Sequence, residues 1–155
     1  MMILLNGVSG FNGPDGQIVD GSQFKRLCYA TVLNLGGSIL SFKEPEVAQH
    51  YYYTEIKIFG ENLYILLNGQ YPFIAFASFV IPGNITFIDN DKLSKWFSPN
   101  YRILHSNELN EPLMIRQEKG KMIIENENEL NDAELASIKY WRSKRVGDIV
   151  FNYWD

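Results

Sequence analysis

Four apolar runs in the middle of the chain, each closed by a turn, constrain the fold more than any other feature. "YYYTEIKIF" meets "GEN", "LYILLN" meets "GQYP", "FIAFASFV" meets "PGN", and "ITFID" follows. β-branched and aromatic residues fill the runs, while Gly, Pro and Asn punctuate them, which is the pattern of an antiparallel meander. Several runs are apolar at successive positions rather than at alternate ones. Strands of that kind are buried on both faces, so helices must cover the sheet.

The flanking segments supply those helices. In "SQFKRLCYATVLNLGG", Phe24, Leu27, Cys28, Thr31, Val32 and Leu35 recur at helical spacing. Ser22 is placed to cap the start, and Gly36 and Gly37 to end the helix. "DKLSKWF" predicts a short helix capped by Asn90 or Asp91, and "RILHS", "LMIRQE" and "MIIEN" predict shorter strands, the last two joined by "KGK". In "NDAELASIKYW" Asn131 and Glu134 form the pattern of a capping box, with Leu135, Ile138 and Trp141 on one face. "DIVFNYW" predicts a last helix led by Gly147 and capped by Asp148, with Ile149, Val150, Tyr153 and Trp154 on one face. The expected class is α+β: a central antiparallel sheet of about five to seven strands, with an N-terminal helix and C-terminal helices packed on it.

The chain has 155 residues, enough for one domain spanning 1–155 that buries roughly 70% of its unfolded surface. Its 46% hydrophobic and 21% charged residues are those of a globular chain, and a net charge of −4 argues against nonspecific nucleic-acid binding, which needs a basic face. Cys28 is the single cysteine, so no intrachain disulfide is possible. The N-terminus has no basic leader, and the longest apolar stretch, Phe73 to Pro82, is about half a membrane span. A cytosolic location is the resulting expectation.

Catalytic patterns are sparse. "NGVSGFNGPDG" follows an apolar run, as a phosphate loop would, but Pro14 lacks an amide hydrogen and no Gly-Lys-Ser/Thr follows. His50 and His105 adjoin no other ligand or carboxylate pair, and Cys28 falls on the apolar face of the first helix. "YYYTE" reads as sheet packing rather than as a stacking platform for bases. No catalytic, cofactor or metal residue is assigned.

The acidic segment "ENENELNDAE" is more distinctive. Glu125, Glu127, Glu129, Asp132 and Glu134 occur with no basic residue among them, while Lys139, Arg142, Lys144 and Arg145 cluster directly afterwards. Such a run is either a solvated face or a surface that steers a cationic partner.

The ending, Trp141 followed by "GDIVFNYWD" from Gly147 to Asp155, resembles that of small bacterial immunity proteins encoded beside polymorphic toxins, in contact-dependent growth inhibition and Rhs-type systems. "YPFIAFASFV" and "NELNDAEL" are similar to them as well. The resemblance implies a protein without catalysis or cofactor that neutralises the C-terminal domain of a cognate toxin. Many such toxins look like nucleases with basic clefts, which an acidic inhibitor occludes. Its own contacts with nucleic acid or membrane are not implied. Glu125, Glu127, Glu129, Asp132 and Glu134 are then the expected partner-binding residues. Phe151, Tyr153 and Trp154 are expected in the core, with an exposed aromatic anchor as the alternative. The other reading of the whole chain is a small-ligand-binding or accessory cytosolic protein.

Overall fold

A computed structural model describes residues 2–11 and 19–154. The remainder of the glycine-rich stretch, 12–18, and the terminal Asp155 lie outside the described residues. In chain order come α1 (Gly21–Asn34), β1 (Ser38–Lys43), β2 (Tyr51–Ile58), β3 (Glu61–Asn68), β4 (Phe73–Ile81), β5 (Asn84–Ile88), α2 (Asp91–Phe97), β6 (Arg102–Ile103), α3 (Ser106–Leu109), β7 (Ile115–Glu118), β8 (Lys121–Ile124), α4 (Asp132–Trp141) and α5 (Gly147–Val150). The class is α+β, as expected.

Strands β1 to β5 form an antiparallel meander. The turn between β2 and β3 has positive φ at both central residues, Phe59 (54°) and Gly60 (77°), the twist that a two-residue hairpin requires. β6 pairs with β4 in parallel, Phe73 opposite Arg102, and is the one departure from antiparallel order. β7 and β8 form a separate two-stranded hairpin.

Side chains of the sheet divide by parity, and each face has its own cover. Ile74 and Phe76 of β4 point to the same side as Ile56, Ile65 and Leu67, where Phe24, Cys28 and Val32 of α1 and Leu93 and Phe97 of α2 close over them. Phe73, Ala75 and Ala77 point to the other side, with Tyr51, Leu66 and Phe87, beneath Met2, Leu4, Val8, Ile138, Ile149 and Phe151. This double cover is why the central runs are apolar at consecutive positions. No helix of the described residues is long and apolar enough to cross a membrane.

Local expectations fare unevenly. Asn90 caps α2 by accepting the Leu93 N–H, and Asn131 and Glu134 form the capping box of α4. The cap of α1 is Asp20, not Ser22: its carboxylate accepts the N–H groups of Ser22 and Gln23. "RILHS" is a strand only at Arg102–Ile103, because the chain turns into α3 at Ser106. β1 has no counterpart among the expected elements. It is a half-buried edge strand whose register slips between Ile39 and Ser41, so its hydrophobic period is broken.

The tail is the main correction. The helix expected across 148–154 stops at Val150 after one turn. Asn152 explains the stop, since its side-chain amide donates to Ile149 O and Ser9 O, competing with the helical ladder. The chain then runs extended, with Tyr153 bridged to Gln49 and the Trp154 N–H donating to Ala48 O. Asp148 does not cap α5; it accepts the N–H groups of Lys144 and Arg145 and the Arg145 Nε–H. Phe151 and Trp154 are buried, while Tyr153 is half-buried.

Gly147 matters for space rather than for turning. A Cβ there would collide with the Phe87 ring and lie 3.0 Å from Leu109 O. Gly147→Ala is therefore expected to destabilise the fold by about 1–3 kcal/mol, the usual cost of overpacking, read as a lower denaturation midpoint. An unchanged midpoint would show that α5 and Phe87 are loosely packed.

Candidate partner-binding surface

The acidic segment between β8 and α4 bends at Asn126 and Glu127, and exposure alternates along it. Glu125, Glu127 and Glu129 are exposed, whereas Asn126 is buried and Asn128 half-buried between them. The asparagines fasten the backbone from inside. Asn126 accepts the Met114 N–H and donates to Pro112 O, and Asn128 donates to Ile124 O and Asn126 O. From the other side, the Leu4 N–H donates to Glu127 O and the Glu129 N–H to Leu4 O, 3.1 and 2.7 Å. Leu4 itself is in the core. Three exposed carboxylates are thus carried by a backbone tied to the core.

Asp132, in the first turn of α4, extends the same exposed acidic series. Glu125 lies 3.3 Å from Arg116 Nε, and Arg116 also pairs with Glu118. Glu127, Glu129 and Asp132 make no ion pair among the described residues. Exposed apolar side chains flank the ridge: Met114, whose carbonyl accepts the Glu125 N–H, the adjacent Ile115, and Ile3 beside Leu4.

Glu134 does not belong to this surface. It is fully buried. Its carboxylate accepts the N–H of Gly7 at 2.8 Å, the N–H of Ser9 at 2.9 Å and the Ser9 hydroxyl at 2.5 Å, besides the Asn131 N–H of its own capping box at 3.2 Å. A buried carboxylate is stable only with such a set of donors, and those donors leave it nothing for a partner.

The same contacts explain the phosphate-loop likeness of "NGVSG". The amides of Gly7 and Ser9 do form an anion cradle, and the anion in it is the chain's own Glu134. Asn131 and Asn68 hold the segment further, donating to Phe11 O and Val8 O.

The isolated polar residues are held in ways that suit structure. His50 Nδ1 lies 2.7 Å from Asn152 Oδ1. Asp89, His105 and Ser106 are neighbours, yet the Ser106 hydroxyl donates to Asp89 and not to the imidazole, so the order of a Ser-His-Asp relay is not formed. Burial raises the Asp89 carboxyl, but the two hydrogen bonds from Ser106 together with the neighbouring His105 outweigh it and leave the group below its ordinary range.

Cys28 is fully buried, and burial pushes its thiol up to about 12, which the Thr54 hydrogen bond only partly offsets. A raised thiol stays protonated at pH 8, and the thiolate is the nucleophile. Iodoacetamide at pH 8 is therefore expected to leave Cys28 unmodified in the folded protein and to label it fully in denaturant, as read by mass spectrometry. Rapid native labelling would contradict its burial.

The period-two layout of Glu and Asn in "ENENE", Glu125 to Glu129, is the signal that locates the ridge, and reading the run as charge alone passes over it. No protein-family model, curated protein or solved structure matches this chain.

Proposed function

We propose that this chain is an immunity protein that binds the C-terminal domain of a cognate toxin in the cytosol and occludes its basic active-site surface. The toxin class that fits best is a nuclease. The observation that supports this reading is the ridge of Glu125, Glu127 and Glu129, joined by Asp132, on a backbone fixed before any partner arrives. A backbone already fixed loses little conformational freedom on binding, and a cationic cleft built for a phosphate backbone meets a cluster of carboxylates.

The ridge alone is too small for tight inhibition, which needs about 800 Å² per partner. Met114, Ile115 and Ile3 supply an apolar margin on either side, giving the mixed character of a working interface. No chemical step, cofactor, membrane or direct nucleic-acid contact enters the proposal.

Co-expression tests it. The chain, tagged, should retain the toxin domain encoded next to it through purification and suppress its activity in a stoichiometric mixture. Failure to bind that domain at micromolar concentration would overturn the reading.

A further inference from the structure

On the opposite end of α4 from the acidic ridge lies a cleft of about 320 Å³. Trp141, Arg142, Ser143 and Lys144 form one wall, the tail residues Tyr153 and Trp154 another, and the start of β5 the third. Trp141 is exposed and Trp154 is largely covered, so the indole surface open at the cleft is that of Trp141.

Arg142 and Lys144 are exposed and form no ion pair among the described residues. Among the described residues, the one acidic residue that lines the cleft, Asp148, is already matched by Arg145 at 3.0 Å. Two cations are therefore left over. Arg142 also occupies the left-handed region, φ 55° and ψ 46°, at the end of α4, a position where glycine is usual and a larger residue is strained.

Ser143 supplies the third feature. The residue is 8% exposed, and its hydroxyl makes no hydrogen bond with any described residue. Among the described residues, Thr31 Oγ1 is the only fully enclosed side-chain oxygen or nitrogen without a partner. The Ser143 hydroxyl thus keeps some open surface, and Ser143 is one of the residues that line the cleft. A nearly buried serine whose hydroxyl has no partner among the described residues, between two exposed cations and beside the Trp141 indole, is a set that an anion with an attached ring completes.

We propose that this cleft binds a small ring-bearing phosphate of the nucleoside monophosphate class. The phosphate dianion would meet Arg142, Lys144 and the Ser143 hydroxyl, and the base would stack on the exposed Trp141 indole. The cleft volume is at the lower end of small-ligand sites and suits a single nucleotide rather than an extended chain. The proposal does not rest on the toxin-binding reading, since the acidic ridge lies at the other end of α4.

Calorimetric titration of the full chain with AMP, adenosine and inorganic phosphate tests it. AMP should bind saturably at one site, with adenosine and inorganic phosphate each about tenfold weaker or more. Arg142→Ala combined with Lys144→Ala, both at exposed positions, should lower AMP affinity to the level of adenosine without moving the thermal midpoint. Ser143→Ala should weaken AMP by several-fold. AMP binding that is absent, no tighter than that of adenosine, or unchanged in the double variant would overturn the proposal.

Discussion

Glu134→Ala is expected to lower folding stability by about 3–5 kcal/mol, among the largest effects of any single substitution proposed for this chain. The carboxylate is fully buried and ties α4 to a segment more than a hundred residues away, through Gly7 and Ser9. Removing it leaves two amides and a hydroxyl enclosed without an acceptor, and such orphaned donors cost more than the bonds themselves contribute. It also removes one arm of the α4 capping box. Glu134→Gln should be milder, because one oxygen still accepts while the amide hydrogens face other donors. Urea denaturation with the midpoint and slope both recorded is the measurement. A loss under about 1 kcal/mol for the alanine variant would show that water replaces the carboxylate and that the N-terminal segment is not held by it.

Phe151→Ala and Trp154→Ala should each cost about 3–5 kcal/mol, the range for emptying a large aromatic site in a core. Phe151 contacts Tyr51 edge-on, with ring centroids 5.8 Å apart, and Phe87 at 5.8 Å. Trp154 packs at a tilt on Phe11, 5.7 Å away, and so helps Glu134 to hold the N-terminal segment. Tyr153 is half-buried between them and should cost much less on truncation. Against a total stability of about 5–15 kcal/mol, either core variant is expected to be close to unfolding at 37 °C. Equal, small losses at all three positions would place the aromatics on a surface.

These effects show which parts of the fold are written in local signals. Caps, glycine stops and the turns of the meander act within a few residues, so α2, α4 and the strands from Tyr51 to Ile88 are readable from the chain. Glu134 is different. Its capping-box pattern is local and correct, yet the same carboxylate serves a loop that only the fold brings near, and no spacing rule reveals that second duty. Grouping it with Glu125, Glu127 and Glu129 follows from charge alone; burial separates them. The tail misleads for a similar reason. Ile149, Val150, Tyr153 and Trp154 keep helical spacing, but Asn152 diverts the backbone by bonding to Ser9, a partner far along the chain. β1 and the parallel strand β6 are short edge elements whose pairing is fixed by tertiary position rather than by pattern.

Binding kinetics of the triple variant Glu125→Lys, Glu127→Lys, Glu129→Lys against the neighbouring toxin domain test the central proposal most directly. Surface charge changes alter stability by only about 0.5 kcal/mol each, so the variant should remain folded. Association at low salt should slow by about tenfold or more, because attraction is replaced by repulsion across the encounter surface. Raising the salt should bring wild type and variant closer, since screening acts on both. Cells carrying the toxin should lose protection with the variant. Unchanged association at both salt concentrations, together with full protection, would contradict the account and make the ridge a solvated face.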